Sequence, residues 1–178
     1  MHCYTKKDIK ISFAIICPDN SLSLLRTTVG SISQKYQNVP FICVTSNSAN
    51  ADEIASMKKM CPTYKGKSTI TSLINVAYRH APTEWLILIF AGTAVQGRLD
   101  EKFGFFIGSE KDILYPIANN KTNFIDATLN GLMINKKLFK DIGPFLEDDE
   151  LEFVKSEWAC RAIENGCKFK AVIGCKMC

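Results

Sequence analysis

The chain has 178 residues, 47% hydrophobic and 22% charged, with a formal net charge of +4. That is one domain's worth of chain with a sizeable core, and the composition excludes a disordered or fibrous protein. The lysines fall in small groups (Lys58-Lys59, Lys65 with Lys67, Lys136-Lys137 with Lys140) without an arginine-rich stripe. No nucleic-acid partner is therefore expected, whereas a diphosphate-bearing small molecule suits the balance.

Residues Met1 to Asp8 lack the apolar core of a signal peptide, and no apolar run approaches a membrane span. A cytoplasmic protein is expected, and its eight cysteines should stay reduced. Cys17, Cys43 and Cys160 lie in apolar segments as small core residues. Cys175 and Cys178 have the spacing of a zinc half-site, but no second ligand pair accompanies them.

In chain order, Lys10 to Cys17 reads as a first strand, stopped by Pro18-Asp19-Asn20. Asn20 or Ser21 can cap a helix whose apolar positions are Leu22, Leu25, Val29 and Ile32. A second strand, Phe41 to Val44, leads into the polar loop Thr45 to Ser48. Asp52 to Met60 reads as a short helix. Ile70, Leu73, Ile74, Ala77, Tyr78 and Ala81 form one apolar helical face, ended by Pro82. Trp85 to Phe90 is an unbroken apolar run that ends in Ala91-Gly92-Thr93. No alternation interrupts it, so both faces should be buried, as in the central strand of a helix-covered sheet. Strands follow at Asp112 to Ile117 and Leu129 to Ile134. Helices follow at Lys136 to Asp141 and Asp149 to Asn165, and Lys168 to Ile173 is the last strand. The second of these helices should bury Leu151, Val154, Trp158 and Ala162. The order β-α-β-α-α-β before residue 91 implies an α/β fold with a doubly wound, mainly parallel sheet. Ligands gather beyond the carboxyl ends of such strands.

The chain resembles the catalytic domain of family 2 glycosyltransferases, which have the nucleotide-diphospho-sugar transferase (GT-A) fold. Ile11 to Asn20 is similar to the family's opening strand and turn. Val44 to Ser48 stands where the family has Val-Asp-Asp-Gly-Ser, and Asn75 matches its Ala-x-Asn-x-Gly segment. Trp85 to Val95 matches the strand leading into the metal-binding Asp-x-Asp. Gly131 to Ile134 followed by Phe139, Ile142, Gly143 and Phe145 is the most specific match. Glu157 to Arg161 with Gly166 fits the helix that carries the acidic base.

The resemblance implies a single GT-A-like domain over residues 1–178, lacking a C-terminal acceptor-binding segment. It implies transfer of a sugar from a UDP-sugar type donor, with Glu157 and Asp149 as catalytic carboxylates. Pro18, Asp19, Thr45, Ser46, Lys67, Asn75, Gly92 and Thr93 become the substrate-binding positions. Mn²⁺ or Mg²⁺ is implied only if the family mechanism is retained, since Phe90-Ala91-Gly92 stands in place of Asp-x-Asp and no metal ligand is expected. The family's paired base acids align with Val154 and Lys155. Three readings stay open. Glu157 is a base, or it forms an i,i+4 ion pair with Arg161. The tract Glu147 to Glu150 is a second acidic site, or a solvated loop in which Asp149 caps the helix. The whole is a transferase, or a non-catalytic sugar-nucleotide-binding or assembly module. A P-loop NTPase, suggested by Gly66-Lys67-Ser68-Thr69, is a remote alternative, since a P-loop needs a glycine where Cys61 stands and a strand before it, while Lys58 to Met60 reads as helical.

Overall fold

The apolar runs at 11–17, 41–46 and 85–90 lie side by side as parallel strands, and the rest of the chain covers them. The computed structural model describes residues 10–117, 124–125, 127–147 and 150–172, and the backbone of 176–177. β1 (Ile11–Cys17) is buried along its whole length. It pairs in parallel with β2 (Phe41–Ser46) on one side and β4 (Trp85–Phe90) on the other. β3 (Thr63–Gly66) extends the sheet beyond β2, again in parallel. Beyond β4 come β7 (Met133–Asn135), antiparallel to it, then β6 (Asp112–Pro116) and β8 (Lys168–Val172). The seven-stranded order is β3-β2-β1-β4-β7-β6-β8, so Trp85–Phe90 is the middle strand of a mainly parallel sheet. Val95–Gln96 (β5) forms a separate small antiparallel ladder with Lys176–Met177 (β9).

Side chains alternate across the sheet, and each set meets its own layer of helices. Phe13, Ile15 and Cys17 enter a core shared with Leu25 and Ile32 of α1 (Leu22–Lys35) and Met57 of α2 (Ala51–Lys58). Leu99 and Phe103 of α4 (Leu99–Phe106) complete that layer. Ala14 and Ile16 face the other way, towards Leu73 and Ala77 of α3 (Ile70–His80). The same core takes Leu138 of α5 (Lys136–Ile142) and Val154 and Trp158 of α6 (Leu151–Glu164). The result is an α/β sandwich of the GT-A type. No described helix is long and apolar enough to cross a membrane.

Several elements differ from the sequence reading. The strand expected at Leu129 to Ile134 is confined to Met133–Asn135, because Gly131 (φ +89°) turns the chain first. β3 and α4 were not legible. β3 is a short edge strand of four residues, and α4 carries Gly104 amid three phenylalanines, so neither has a clear period. Ser21, not Asn20, caps α1, its side chain accepting from the Leu24 N–H, while Asn20 takes a left-handed turn at φ 56°. In α6, Val154, Lys155, Trp158, Ala159 and Ala162 are buried, and Leu151 only partly so. Cys160, expected in the core, is exposed; Cys17 and Cys43 are buried. Asp149 and the cysteines at 175 and 178 lie outside the described residues.

Candidate functional site at the carboxyl ends of the parallel strands

Because β1, β2, β3 and β4 run the same way, the loops after Cys17, Ser46, Gly66 and Phe90 share one edge of the sheet. The connections reverse between β1 and β4, which is where an open α/β sheet leaves a crevice for ligand. Of the residues expected to bind substrate, Pro18, Asp19, Thr45, Ser46, Lys67, Gly92 and Thr93 lie at or just beyond these strand ends.

After β1, Asn20 adopts the left-handed conformation that asparagine tolerates better than most residues. Its side chain thereby bridges two strands. Oδ1 accepts from the Thr45 hydroxyl at 2.6 Å, and Nδ2 donates to Ser48 Oγ at 3.0 Å. Thr45 is wholly buried, with the Cys17 carbonyl as a second acceptor at 2.9 Å. Ser46, also buried, accepts from the Ser48 N–H at 3.1 Å and from Ser48 Oγ at 2.9 Å. A hydroxyl has one proton and two lone pairs. With both lone pairs filled, Ser46 must donate, and Ser68 Oγ at 2.9 Å receives that proton. The chain Asn20→Ser48→Ser46→Ser68 therefore ends on an exposed serine whose own proton is left for an external acceptor. Sequence reasoning missed Ser68, which carries no signal until β3 places it beside Ser46.

The turn after β4 is fixed from two directions. The Gly92 N–H forks to the Leu24 carbonyl and the Thr28 hydroxyl, both at 3.0 Å, and Thr28 donates to the Thr93 carbonyl at 3.0 Å. From the other side, Asn130 accepts from the Phe90 N–H and donates to Thr93 Oγ1, both at 2.9 Å. Gly92 has φ +97°, and a Cβ there would sit 3.2 Å from Leu24 Cδ2, so glycine meets two constraints at once. Asn130 was also missed, since it lies 40 residues from Phe90 in sequence.

Lys67 lies beside Ser68 and makes a 2.7 Å ion pair with Glu147, its side chain 74% exposed. The Lys67 hydrogen bond holds the Glu147 carboxyl below the usual range against slight desolvation, with smaller help from Ser72 and Asn75. Asn75 is buried and also engages Phe145. Its Nδ2 donates to the Phe145 carbonyl at 2.8 Å and its Oδ1 accepts from the Phe145 N–H at 2.9 Å. Both ends of the amide are thus engaged by one backbone residue.

In α6, Glu157 and Arg161 form a two-pronged pair, Nε to Oε1 at 2.5 Å and Nη2 to Oε2 at 2.8 Å. Arg161 also donates to the carbonyls of Ile142 and Pro144 at 2.8 Å each, and Trp158 Nε1 donates to that of Gly143 at 3.0 Å. The Gly143 to Phe145 turn is therefore clamped by α6 and α3 together. Lys155 is 6% exposed, and its ammonium donates to the Ala127 carbonyl at 2.6 Å and to that of Ile125. A buried cation held by backbone oxygens occupies the position where the resemblance places a carboxylate base.

α2 runs to Lys58, so no strand precedes position 61, as expected, and β3 (Thr63–Gly66) runs through the place of the loop itself. It does not make a P-loop. Lys67, Ser68 and Thr69 alone separate β3 from α3, and Thr69 is spent capping the helix. Gly66 serves packing, since a Cβ there would lie 3.1 Å from Leu73 Cδ2 and 3.2 Å from Val76 Cγ2. Among the described residues no group of three or more His, Cys, Asp or Glu could hold a metal ion.

This arrangement of sheet, switch point and strand-end loops defines a glycosyltransferase-like α/β fold. No family model matches the sequence, and no curated protein matches it. Among solved structures, the crystal structure of Staphylococcus aureus TarS is similar, with TM-score 0.65 and 13% identity over 93% of this chain. TarS residues 1–349 in complex with UDP are similar as well, with TM-score 0.60 and 12% identity. The chain spans 36% and 58% of the lengths of those two structures. Similarity at this level of identity establishes the fold.

Proposed function

We propose that the protein is a non-catalytic sugar-nucleotide-binding module that keeps the glycosyltransferase fold. The observation that carries this reading is Lys155. Inversion at an anomeric carbon needs a carboxylate within hydrogen-bond reach of the acceptor hydroxyl. Here the corresponding side chain is a buried ammonium that anchors the carbonyls of Ile125 and Ala127.

Binding is supported by the strand ends themselves. The base of a nucleotide meets Ser68, the exposed end of the hydroxyl network in which Thr45 and Ser46 stand where the family has acids. The diphosphate lies along Pro18-Asp19 and the Gly92-Thr93 turn, and one structural neighbour is a complex with UDP. Lys67 supplies the facing cation, because an exposed ion pair such as Lys67–Glu147 holds its lysine only weakly. Mn²⁺ or Mg²⁺ does not fit this turn. Hard cations take several oxygen ligands, Phe90-Ala91-Gly92 offers no carboxylate, and Thr93 Oγ1 already accepts from Asn130.

A transferase working through Glu157 is the second reading, favoured by an acid retained at a family position. In that case Glu157 must leave Arg161 to accept a proton, and Asp149 is the other candidate. A UDP-sugar panel with and without Mn²⁺, assayed for UDP release, separates the readings. The module predicts binding without turnover. Turnover above the buffer rate that falls about 10²–10⁴-fold in Glu157→Gln would assign catalysis instead.

A further inference from the structure

The parallel strands have a second edge, and it carries a feature that the reading above does not use. Lys10 immediately precedes β1, Glu84 immediately precedes β4, and Asn135 ends the antiparallel β7. These residues border a cavity of about 890 Å³, which also reaches up between α3 and α5. They sit at the amino ends of β1 and β4, whereas the nucleotide site proposed above sits at the carboxyl ends.

The cavity has an apolar floor and a basic rim. Tyr78, Ala81, Pro82, Phe139 and Pro144 form apolar wall, with the Tyr78 and Phe139 rings stacked at 4.1 Å and 12°. Lys10, Arg79, Lys136, Lys137 and Lys140 stand against two carboxylates, Glu84 and Glu110. Most of the net charge of +4 is thus gathered around one opening. Lys136 donates to the Ala81 carbonyl at 2.9 Å, and Lys137 lies 3.9 Å from Glu110. Lys10, Arg79 and Lys140 have no carboxylate partner among the described residues. The field is felt next door: after slight burial, the charges of Arg79 and Lys136 hold the His80 imidazole below its ordinary range.

Tyr78 lies behind the rim rather than open to it. It is 1% exposed, and its hydroxyl is the buried side-chain polar atom left without a hydrogen-bond partner among the described residues. Buried tyrosine hydroxyls usually find one. With no accessible surface, that hydroxyl offers nothing to a ligand, and recognition falls to the cavity's rim. The volume lies within the roughly 300–1,000 Å³ of small-molecule sites.

We propose that this cavity is a second ligand site, for a small organic anion with a flat apolar body and a phosphate or carboxylate group. The flat body lies against Pro82, Phe139 and Pro144, and the anionic group meets Arg79, Lys140 and Lys10 by charge-assisted hydrogen bonds.

Amide NMR titrations with 1-naphthyl phosphate and with 1-naphthoate test this and distinguish the two anionic groups. Saturable shifts are expected in the carboxyl-terminal turn of α3 and in α5, unchanged by saturating UDP. Reversing two exposed charges, in Arg79→Glu with Lys140→Glu, should weaken binding by about tenfold or more. Four outcomes overturn the proposal: no saturable shift with either compound, equal affinity after charge reversal, displacement by UDP, or saturation by a glutamate-rich peptide where both naphthyl compounds fail. Because UDP is titrated separately, failure here and failure of the nucleotide-site reading are distinguishable.

Discussion

Asn75 is matched by the resemblance to a substrate-binding position, but its geometry is that of a brace, and the two roles predict opposite results for Asn75→Ala. The amide closes a pair of hydrogen bonds with the backbone of Phe145, at 2.8 and 2.9 Å, across 70 residues of sequence. Phe145 is 1% exposed and stacks on Trp158 with ring centroids 4.6 Å apart, so water cannot easily replace the lost partners. Leaving a buried N–H and a buried carbonyl unpaired costs about 1–3 kcal/mol each. The expected loss is about 2–6 kcal/mol, a large share of the roughly 5–15 kcal/mol of a typical domain. Urea unfolding followed by the fluorescence of the two buried tryptophans, Trp85 and Trp158, measures it, with the m-value expected to stay constant. Asn75→Asp adds a check of sign. Its carboxylate can accept from the Phe145 N–H but repels the carbonyl, so folding raises its pKa. Stability should then be recovered as pH falls through that raised folded value, when the protonated acid can donate, and be complete below the unfolded one. A loss below about 1 kcal/mol in Asn75→Ala, accompanied by weaker UDP binding, would refute the brace and return Asn75 to the ligand.

Other variants probe the remaining supports. Gly92→Ala should lose about 1–3 kcal/mol, from the left-handed φ of +97° and the approach to Leu24 at 3.2 Å, as read from thermal unfolding. Gly66→Ala should lose about 1–3 kcal/mol by overpacking against Leu73 and Val76, with no change in ATP affinity because no P-loop is present. Asp112 is buried and desolvation pushes its carboxyl up. Lys170 at 2.7 Å and the N–H groups of Gly108 and Ser109 outweigh that and hold it below the usual carboxylate range. Its contribution is therefore present above the unfolded pKa of about 4 and lost as pH falls through the folded value. Acid unfolding curves should show that loss in the native chain and a flatter profile in Asp112→Asn.

The sequence made the centre of the fold legible because its signals there are local. Trp85 to Phe90 announces a strand buried on both faces, and Ile70 to Ala81 shows an apolar face at helical spacing. β3 and α4 carry no such period, and each is held by neighbours that sequence does not reveal. The site was legible as a set of loops but not as a network. Thr45 and Ser46 could be named, yet their partners Asn20 and Ser68 come from β1 and β3, and Asn130 reaches the Phe90 turn from 40 residues away. Lys155 could be aligned with an acid from sequence, but its burial against the carbonyls of Ile125 and Ala127 is a tertiary fact. The pairing of Glu157 with Arg161 follows from their spacing. Its two-pronged geometry, and the attachment of Arg161 to Ile142 and Pro144, do not.

The central claim is metal-independent binding of a sugar nucleotide at the carboxyl ends of β1, β2, β3 and β4. UDP titrated into isotope-labelled protein in the presence of EDTA tests it most directly. Saturable amide shifts at Asp19, Thr45, Ser46, Ser68 and Gly92, with an affinity unaltered when EDTA is replaced by Mg²⁺, are the predicted result. Shifts that appear only with Mg²⁺, or none at those five residues under either condition, would contradict it.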